Sequence, residues 1–322
     1  MNNSTILPEK CTQFNGLYKW TVQKQAVNSR LDKYITEQTN IFSRSFVQKM
    51  ILQGNVSVNQ KAVLKANIVL KSGDTIIMQT PIPYKPTIDD IKIANERIDI
   101  VYEHEDFFII NKPAGILVHK VPGVNNQVTI VDWLLNYGLV SYALHDNVRP
   151  GIVHRLDKNT SGLMIIAKNP YGHAYLAKLF QDRLIQKKYV AIVQGITPPE
   201  GSIDFYIGRD PITKSRMAAS RVKRDHTFRT ALTHFKTVAS NNSISLVEAS
   251  PVTGRTHQIR IHLQAIGHPL LGDTLYHVAD AMFTRHALHA SALSFTFHDQ
   301  LVCVASALPD DLNQACLYYN LN

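Results

Sequence analysis

Cysteine is scarce in this chain of 322 residues: Cys11, Cys303 and Cys316 lie far apart, with no Cys-x-x-Cys pair. That pattern argues against a disulfide scaffold and against a zinc ribbon. Long apolar runs are also missing, none approaching the roughly 18 residues that span a bilayer. The opening MNNSTILPEK has no basic region leading into an apolar core, so no signal peptide is expected. Internal repeats and low-complexity tracts are absent. So are a Gly-x-Ser-x-Gly elbow, a Gly-x-x-x-x-Gly-Lys-Ser/Thr phosphate loop and a Gly-x-Gly-x-x-Gly turn after a strand. A soluble, cytoplasmic chain is the expectation. Acidic residues are in the minority, 25 against 34 lysines and arginines, for a net charge of +9. That imbalance favours a polyanionic partner, nucleic acid ahead of an anionic membrane surface.

What is present is enough for two domains, with 45% hydrophobic residues to fill their cores. QTPIPYKPTIDD, residues 79–90, carries Pro81, Pro83 and Pro86 and reads as a semi-stiff linker. The boundaries expected are an N-terminal tail over 1–18, a small module over 19–80, a proline-containing linker over 81–98 and a larger domain over 99–322. In the small module, Ser29 with Asp32 reads as a helix cap, followed by Leu31, Tyr34 and Ile35 on one face. Ser43 starts a second helix with the stripe Phe46, Val47, Met50 and Ile51, stopped by Gly54. NVSVNQ alternates like a strand, and GDTIIM gives a turn and another strand. Basic residues outnumber acidic ones here, and Arg30, Arg44, Lys49 and Lys61 are candidate phosphate contacts. Charge alone does not separate these from a solvated basic face.

The stretch SRLDKYITEQ, the second helix FSRSFVQKMILQ, the strand GNVSVNQ and the turn SGDTI resemble the S4 RNA-binding module. Gln60 departs from that pattern, which has glycine after the asparagine.

In the larger domain, Val101 and Phe107–Ile110 read as strands broken at Lys112-Pro113. TIVDWLLNY reads as a helix capped by Thr129 and Asp132, and NPYGHAYLAKLFQDR as one with Pro170 at its start. KKYVAIVQG is a strand with Tyr189, Ala191 and Val193 on one side. The fold class expected is α+β: a small αα-β module and a larger mixed, mostly antiparallel-sheet domain with a basic cleft.

Asp157 stands in HRLDKNTSGLMIIAKN, 154–169, among His154, Arg155 and Lys158. A carboxylate so placed stays ionised and can act as nucleophile, base, metal ligand or salt-bridge partner. Gly151 and Gly162 allow tight turns around it, and Thr160 and Ser161 can hold the loop. In PVTGRTHQIRIHLQAIGHPLLGD, 251–273, Thr256 reads as the cap of a helix that Gly267 and Pro269 end. Ile259, Leu263 and Ile266 form its core stripe, while His257, Arg260 and Gln264 share another face. An arginine so mounted can orient a carboxylate, its fork suiting the task better than lysine. His257, His262 and His268 cluster, but without a His-Glu-x-x-His motif, a paired carboxylate or a nearby cysteine no metal site is expected. An aspartyl-phosphate phosphatase, which would need magnesium, is a third and weaker reading: His154 and Arg155 precede Asp157 instead of an apolar strand, and Asn159 stands two residues after it.

INKPAGILVH, PGIVHRLDKNTSGLMIIAKN, KKYVAIVQG, TGRTHQIRIHLQAIGHPLLGD and RHALHASAL together resemble the RluA-type RNA pseudouridine synthases. With an S4 module in front, the layout is nearest the RluD and RluC branch, and the likeness runs from about residue 19 onward. The resemblance implies isomerisation of uridine in RNA: the bond to N1 breaks, the base rotates and C5 joins C1′. It implies no cofactor. It makes Asp157 the essential catalytic residue, with attack on C1′, attack on C6 and removal of a sugar proton left open. It implies that Arg155 holds the displaced nucleotide, that Tyr189 lies against the uracil and that Arg260 pairs with Asp157. Lys158 is left as a phosphate contact. Lys112, His119 and the RHALHASAL segment, with Ala287, Leu288 and Ala290 as core, are expected to shape the fold. His154 is expected to orient the loop through backbone hydrogen bonds. The partner expected is structured RNA, large-subunit (23S) ribosomal RNA or precursor particles, and the protein a monomer. The rival from another class is an RNA-binding or ribosome-assembly factor without turnover, which would tolerate loss of Asp157, Tyr189 or Arg260.

Overall fold

Alternation and helical spacing place the first elements where the residues dictate. The computed structural model describes residues 12–14, 17–23, 28–39, 44–79, 98–120, 127–140, 149–213, 216–277 and 282–321. Contacts divide the chain into two units, residues 1–85 with 142–150 and residues 86–141 with 151–322. The linker expected over 81–98 lies, apart from Ile98, outside the described residues.

In the first unit, strands β1 (Thr12–Phe14) and β2 (Leu17–Thr21) precede helices α1 (Leu31–Thr39) and α2 (Arg44–Leu52). Strands β3 (Val56–Val58), β4 (Lys61–Ala62) and β5 (Thr75–Gln79) follow, and the antiparallel order is β1-β2-β5-β3-β4. The sheet therefore begins within residues read as a tail. Tyr18 and Trp20, alternate residues of β2, pack inward against Met78 and Ile76 of β5. Leu31, Tyr34 and Ile35 meet Val47, Met50 and Ile51 in the same core, as the helical spacing predicts.

One expected feature is corrected. Asp32 is not the partner of a Ser29 cap; its buried carboxylate accepts from Arg30 Nε at 3.0 Å, Arg44 Nε at 3.0 Å and Gln48 Nε2 at 2.7 Å. A buried carboxylate takes charged donors when they are within reach, because these bonds outweigh a neutral cap. They hold its pKa far below the usual carboxylate range although burial pushes it up.

The second unit is built on one large sheet. Its strands are β6 (Asp99–Glu103), β7 (Phe107–Lys112), β8 (Ser161–Ala167), β9 (Gln186–Gln194) and β10 (Glu200–Arg209). They continue with β11 (Met217–Ser220), β12 (Arg229–Ser240), β13 (Ile244–Pro251), β14 (Leu288–Phe297) and β15 (Gln300–Ala305). The spatial order is β11-β10-β12-β13-β9-β14-β8-β7-β6, with β15 also on β14. Every pairing is antiparallel except that of β14 with β8. This is the mixed, mostly antiparallel α+β arrangement the sequence predicts.

Helices α3 (Ile130–Asn136), α4 (Pro170–Gln181), α5 (Gln258–Ala265) and α6 (Asp310–Tyr318) complete the unit. Thr129 and Asp132 form the expected capping box of α3, and Asn169 caps α4 ahead of Pro170. Ile259 and Leu263 of α5 pack with Ala191 and Val193 of β9, which sets that helix over the middle of the sheet. No helix among the described residues is long and apolar enough to cross a membrane.

Candidate active site

The loop that carries Asp157 joins Gly151 to β8 and is tied down on three sides. His154 Nε2 accepts from the backbone N–H of Ile165 at 2.8 Å, and its ring stacks on Phe180 at 4.6 Å between centroids. Burial, with the nearby Lys187 charge, pushes the His154 pKa down to about 3, so the ring stays neutral and able to accept. Lys112 is wholly buried, and its ammonium donates to the carbonyls of Pro113, Ile116 and Lys158 at 2.8, 3.0 and 3.1 Å. That cation spends its donors on backbone and shapes the fold. On the third side, Thr160 Oγ1 bonds His286 Nε2 at 2.8 Å, and Arg285 Nη1 donates to Asn159 O at 3.0 Å. The RHALHASAL segment thus does more than fill core: Ala287, Leu288 and Ala290 are buried, while Arg285 and His286 grip the loop.

Asp157 is aimed by the first turn of α5. Arg260 Nη1 donates to Asp157 Oδ2 at 3.0 Å, while Arg260 Nε and Nη2 donate to both oxygens of Asp273 at 2.8 Å each. The side chains of Arg260 and Asp273 are buried, with Asp157 left 19% exposed toward the cavity. His257 Nε2 stands 3.9 Å from the same Asp157 oxygen. Burial pushes the Asp157 pKa up, but the charges of His257 and Arg260 and the Arg260 hydrogen bond outweigh it and hold the carboxyl below its usual range. Burial also lowers His257 below its ordinary value, so at neutral pH the Arg260 cation does most of this work. Tyr276 supports the pair: its ring lies 5.1 Å from the guanidinium, and its hydroxyl bonds His257 Nδ1 at 2.8 Å and accepts from Met217 N–H at 2.9 Å.

Two hollows meet at this node. A cavity of about 530 Å³ is lined by Arg155, Asp157, Tyr189, His257 and Arg260 among others, large enough for a nucleotide base and sugar. A second, of about 320 Å³, is lined by Arg155, Asp157, Lys158, His119 and Thr274 among others. Tyr189 comes from β9, and burial together with the Asp157 charge pushes its phenol pKa well up, so the hydroxyl stays protonated. The ionised carboxylate and the neutral phenol share one partly enclosed space, an arrangement suited to nucleophilic or proton-transfer chemistry on a flat ring.

Arg155, Asp157, Tyr189 and Arg260 are thus brought together, and Lys158 lines the neighbouring hollow. Arg30, Arg44, Lys49 and Lys61 belong to the first unit; Lys49 and Lys61 are exposed, and Arg30 and Arg44 share Asp32. Gln264 is exposed and does not line the cavity, one turn beyond the face that does. Thr256 does not cap α5: His257 holds that position with a left-handed φ of 56° and no side-chain cap. The buried Gln258 replaces the cap, accepting from Thr253 Oγ1 and Arg255 N–H and donating to Leu232 O and Thr233 Oγ1. Asp273 and Tyr276 carry no sequence expectation. The available signal was that Asp273 is the lone acid in a stretch rich in arginine and histidine. Among the described residues one trio, His104, Glu105 and Asp106, lies within reach of a common ion, and none of the three lines the cavity.

A family model described as RNA pseudouridylate synthase matches residues 106–265, and an S4 domain model matches residues 29–76. The chain is 36% identical over 91% of its length to an uncharacterized RNA pseudouridine synthase, YlyB, of Bacillus subtilis, covering 94% of it. It is 36% identical over 85% of its length to the ribosomal large subunit pseudouridine synthase D of Zymomonas mobilis, covering 88% of that protein. Among solved structures, human RNA pseudouridylate synthase domain containing 4 aligns with a TM-score of 0.58 at 25% identity, over 72% of this chain and 96% of the other.

Proposed function

The chain belongs to the RNA pseudouridylate synthase family and carries an S4 domain, and from that premise we propose that it modifies large-subunit ribosomal RNA during ribosome biogenesis. The enzyme is an isomerase that converts uridine to pseudouridine in RNA. The ribosomal target is supported by the likeness to the ribosomal large subunit pseudouridine synthase D, and the chemistry by the 3.0 Å bond between Arg260 and an Asp157 kept ionised at the wall of a nucleotide-sized cavity.

In this reading the target uridine leaves the RNA stack and enters the cavity, at a cost of a few kcal/mol for unstacking. Arg155, exposed at the rim, holds the displaced nucleotide, and Tyr189 lies against the uracil. Asp157 then acts as nucleophile at C1′, as nucleophile at C6, or as base toward a sugar proton. All three steps need an unprotonated carboxylate, and Arg260 keeps it so. After the N1 bond breaks, the base turns and C5 bonds to C1′; C5 gives up its proton to solvent or a nearby base, and N1 takes one up from solvent. The chemistry uses the carboxylate and the ribose and calls on no cofactor. The S4 domain adds phosphate contacts through Arg30, Arg44, Lys49 and Lys61, and Lys158 adds one beside the cavity. The protein works as a cytoplasmic monomer.

The test maps pseudouridine in ribosomal RNA from cells with and without the gene. Deletion removes one or more large-subunit sites, the intact gene restores them, and Asp157→Asn does not, although the variant still binds RNA. Restoration by Asp157→Asn would instead favour an assembly factor without turnover, and losses confined to another RNA would overturn the assigned target.

A further inference from the structure

The cavity that holds Asp157 has a cationic side that none of the roles above uses. Arg183, Lys187 and Arg255 line it and come from three separate places: the turn that closes α4, the start of β9 and the turn ahead of α5. Arg229, the first residue of β12, joins them, because Arg255 Nε donates to the backbone carbonyl of the adjacent Thr230 at 3.1 Å. Arg183, Arg229 and Arg255 are exposed, and the half-buried Lys187 ammonium lies 5.9 Å from the centre of the Phe180 ring.

These four cations have no carboxylate partner among the described residues. Their neighbours in sequence do. Lys178 on α4 pairs with Asp182 at 2.8 Å, and Lys188, next to Lys187, pairs with Glu248 at 2.9 Å. On the cavity side the charge is therefore left without an acid beside it. Its members repel one another: burial and then the charges of Arg183 and Arg229 push Arg255 below its ordinary range, and burial and then Arg183 do the same to Lys187. A fold that holds like charges together with no acid among them is arranged for an anion from outside.

We propose that Arg183, Lys187, Arg229 and Arg255 form a phosphate-binding rim that grips the RNA backbone beside the nucleotide entering the cavity. The proposal rests on the RNA reading given above and names the residues of the catalytic unit that hold the strand. A flipped nucleotide leaves its flanking phosphates outside the pocket, and guanidinium forks match phosphate oxygens in pairs. Contacts of this kind position the strand without reading its sequence.

The test is the salt dependence of binding, with the full chain and a labelled RNA hairpin whose loop contains uridine. The slope of log Kd against log salt concentration falls by roughly 0.7 for each phosphate the protein no longer neutralises, so Arg183→Gln with Arg255→Gln lowers it by about 1.4. Lys178→Gln, which removes an already paired charge, leaves it unchanged. Should the double variant fail to fold, the exposed Arg229→Gln alone lowers the slope by roughly 0.7. A folded variant that keeps the wild-type slope overturns the rim. If the wild-type chain converts no uridine yet shows the rim-dependent slope, the rim stands and the assigned reaction falls. If it converts uridine and the slope does not respond, the reaction stands and the rim falls.

Discussion

Arg260 and Asp273 meet edge to edge, with Nε and Nη2 donating to Oδ2 and Oδ1 at 2.8 Å each. Nη1, the nitrogen that Asp273 does not engage, reaches Asp157 at 3.0 Å. One cation is thus shared by two carboxylates, and Asp157 is only partly neutralised while it stays ionised. Asp273→Asn removes the competing charge. Arg260 then turns toward Asp157, pairs with it more fully and makes it a weaker base and nucleophile. The expected result is a single-turnover rate of uridine conversion about 100-fold lower, the scale of a misplacement near 1 Å, with RNA affinity unchanged. A variant with the wild-type rate would reduce Asp273 to a support of the fold. Removing Arg260 itself is more damaging, since it strands two carboxylates at a cost of roughly 3–5 kcal/mol.

The difference between Arg260 and Asp273 marks what the sequence could tell. Arg260 lies on a helix whose period is plain, and its motif points to a carboxylate partner. Asp273 comes eight residues after that helix ends, in a turn whose path no local pattern specifies. The same contrast explains Thr256 and His257. Cap propensity favours threonine, but a buried glutamine one residue into the helix takes the turn's hydrogen bonds from inside, a tertiary effect that periodicity does not contain. Period-3.6 patterns made five of the six helices among the described residues legible, including the capping box at Thr129. Alternation or an apolar run marked only the clearest strands, such as those at Phe107–Lys112 and Gln186–Gln194; α6 and the long strands from β10 onward were not picked out. The cationic rim stayed hidden because its four members are spread over residues 183 to 255 and only the sheet order gathers them.

Four histidines make stability fall on mild acidification. Burial pushes the pKa of His154 and His286 down to about 3 and that of His262 and His289 to about 4. In the unfolded chain each protonates near 6.5. Below that pH the unfolded state binds more protons than the folded one, so stability present above pH 6.5 is lost as the pH falls toward 4. The slope reaches a few kcal/mol per pH unit when all four act together. Asp157 and Asp273, whose carboxyls are held below their usual range, add their own loss only as the pH falls below about 4. Thermal melts from pH 8 to pH 5 check this: the midpoint stays level above 7 and drops below 6.5. A level midpoint down to pH 5 would mean that these rings are not held neutral.

Gln60 sits where the S4 pattern has glycine, and its backbone bears the consequence. Asn59 and Gln60 link β3 to β4 with φ of 50° and 66°, the paired left-handed geometry of a two-residue hairpin turn. Asn59 is secured there, its side chain bonding Asp74 at 2.8 Å and accepting from Thr75 N–H at 2.9 Å. Gln60 is exposed and carries the steric cost of a Cβ in that region. Gln60→Gly relieves it and stabilises the first unit by about 0.5–1 kcal/mol, after the extra freedom glycine gains in the unfolded chain. Urea unfolding of the two proteins measures the gain, and a loss would show that the glutamine side chain holds the turn.

Gly162 lies two residues beyond Thr160, where the loop that carries Asp157 enters β8 and meets β14 in the one parallel pairing of the large sheet. Its φ is 112°, and a Cβ there would stand 2.2 Å from the carbonyl oxygen of Ala290 and 2.6 Å from its nitrogen. Backbone cannot yield as a side-chain tip can, so Gly162→Ala forces β8 away from the 285–290 segment. That segment holds the loop through Arg285 to Asn159 O, His286 to Thr160 and His289 to Ser161. The strain and the clash together cost about 3 kcal/mol. Asp157 moves with the loop, so activity falls further than the population of folded protein. Gly267, at φ 89° with nothing near its missing Cβ, provides the comparison. Gly267→Ala bears the backbone term alone, about 1 kcal/mol, and leaves the rate intact. Chemical denaturation of both variants beside their single-turnover rates separates the terms. Equal losses in the two would mean that the close approach of β14 to β8 does not set the position of the loop.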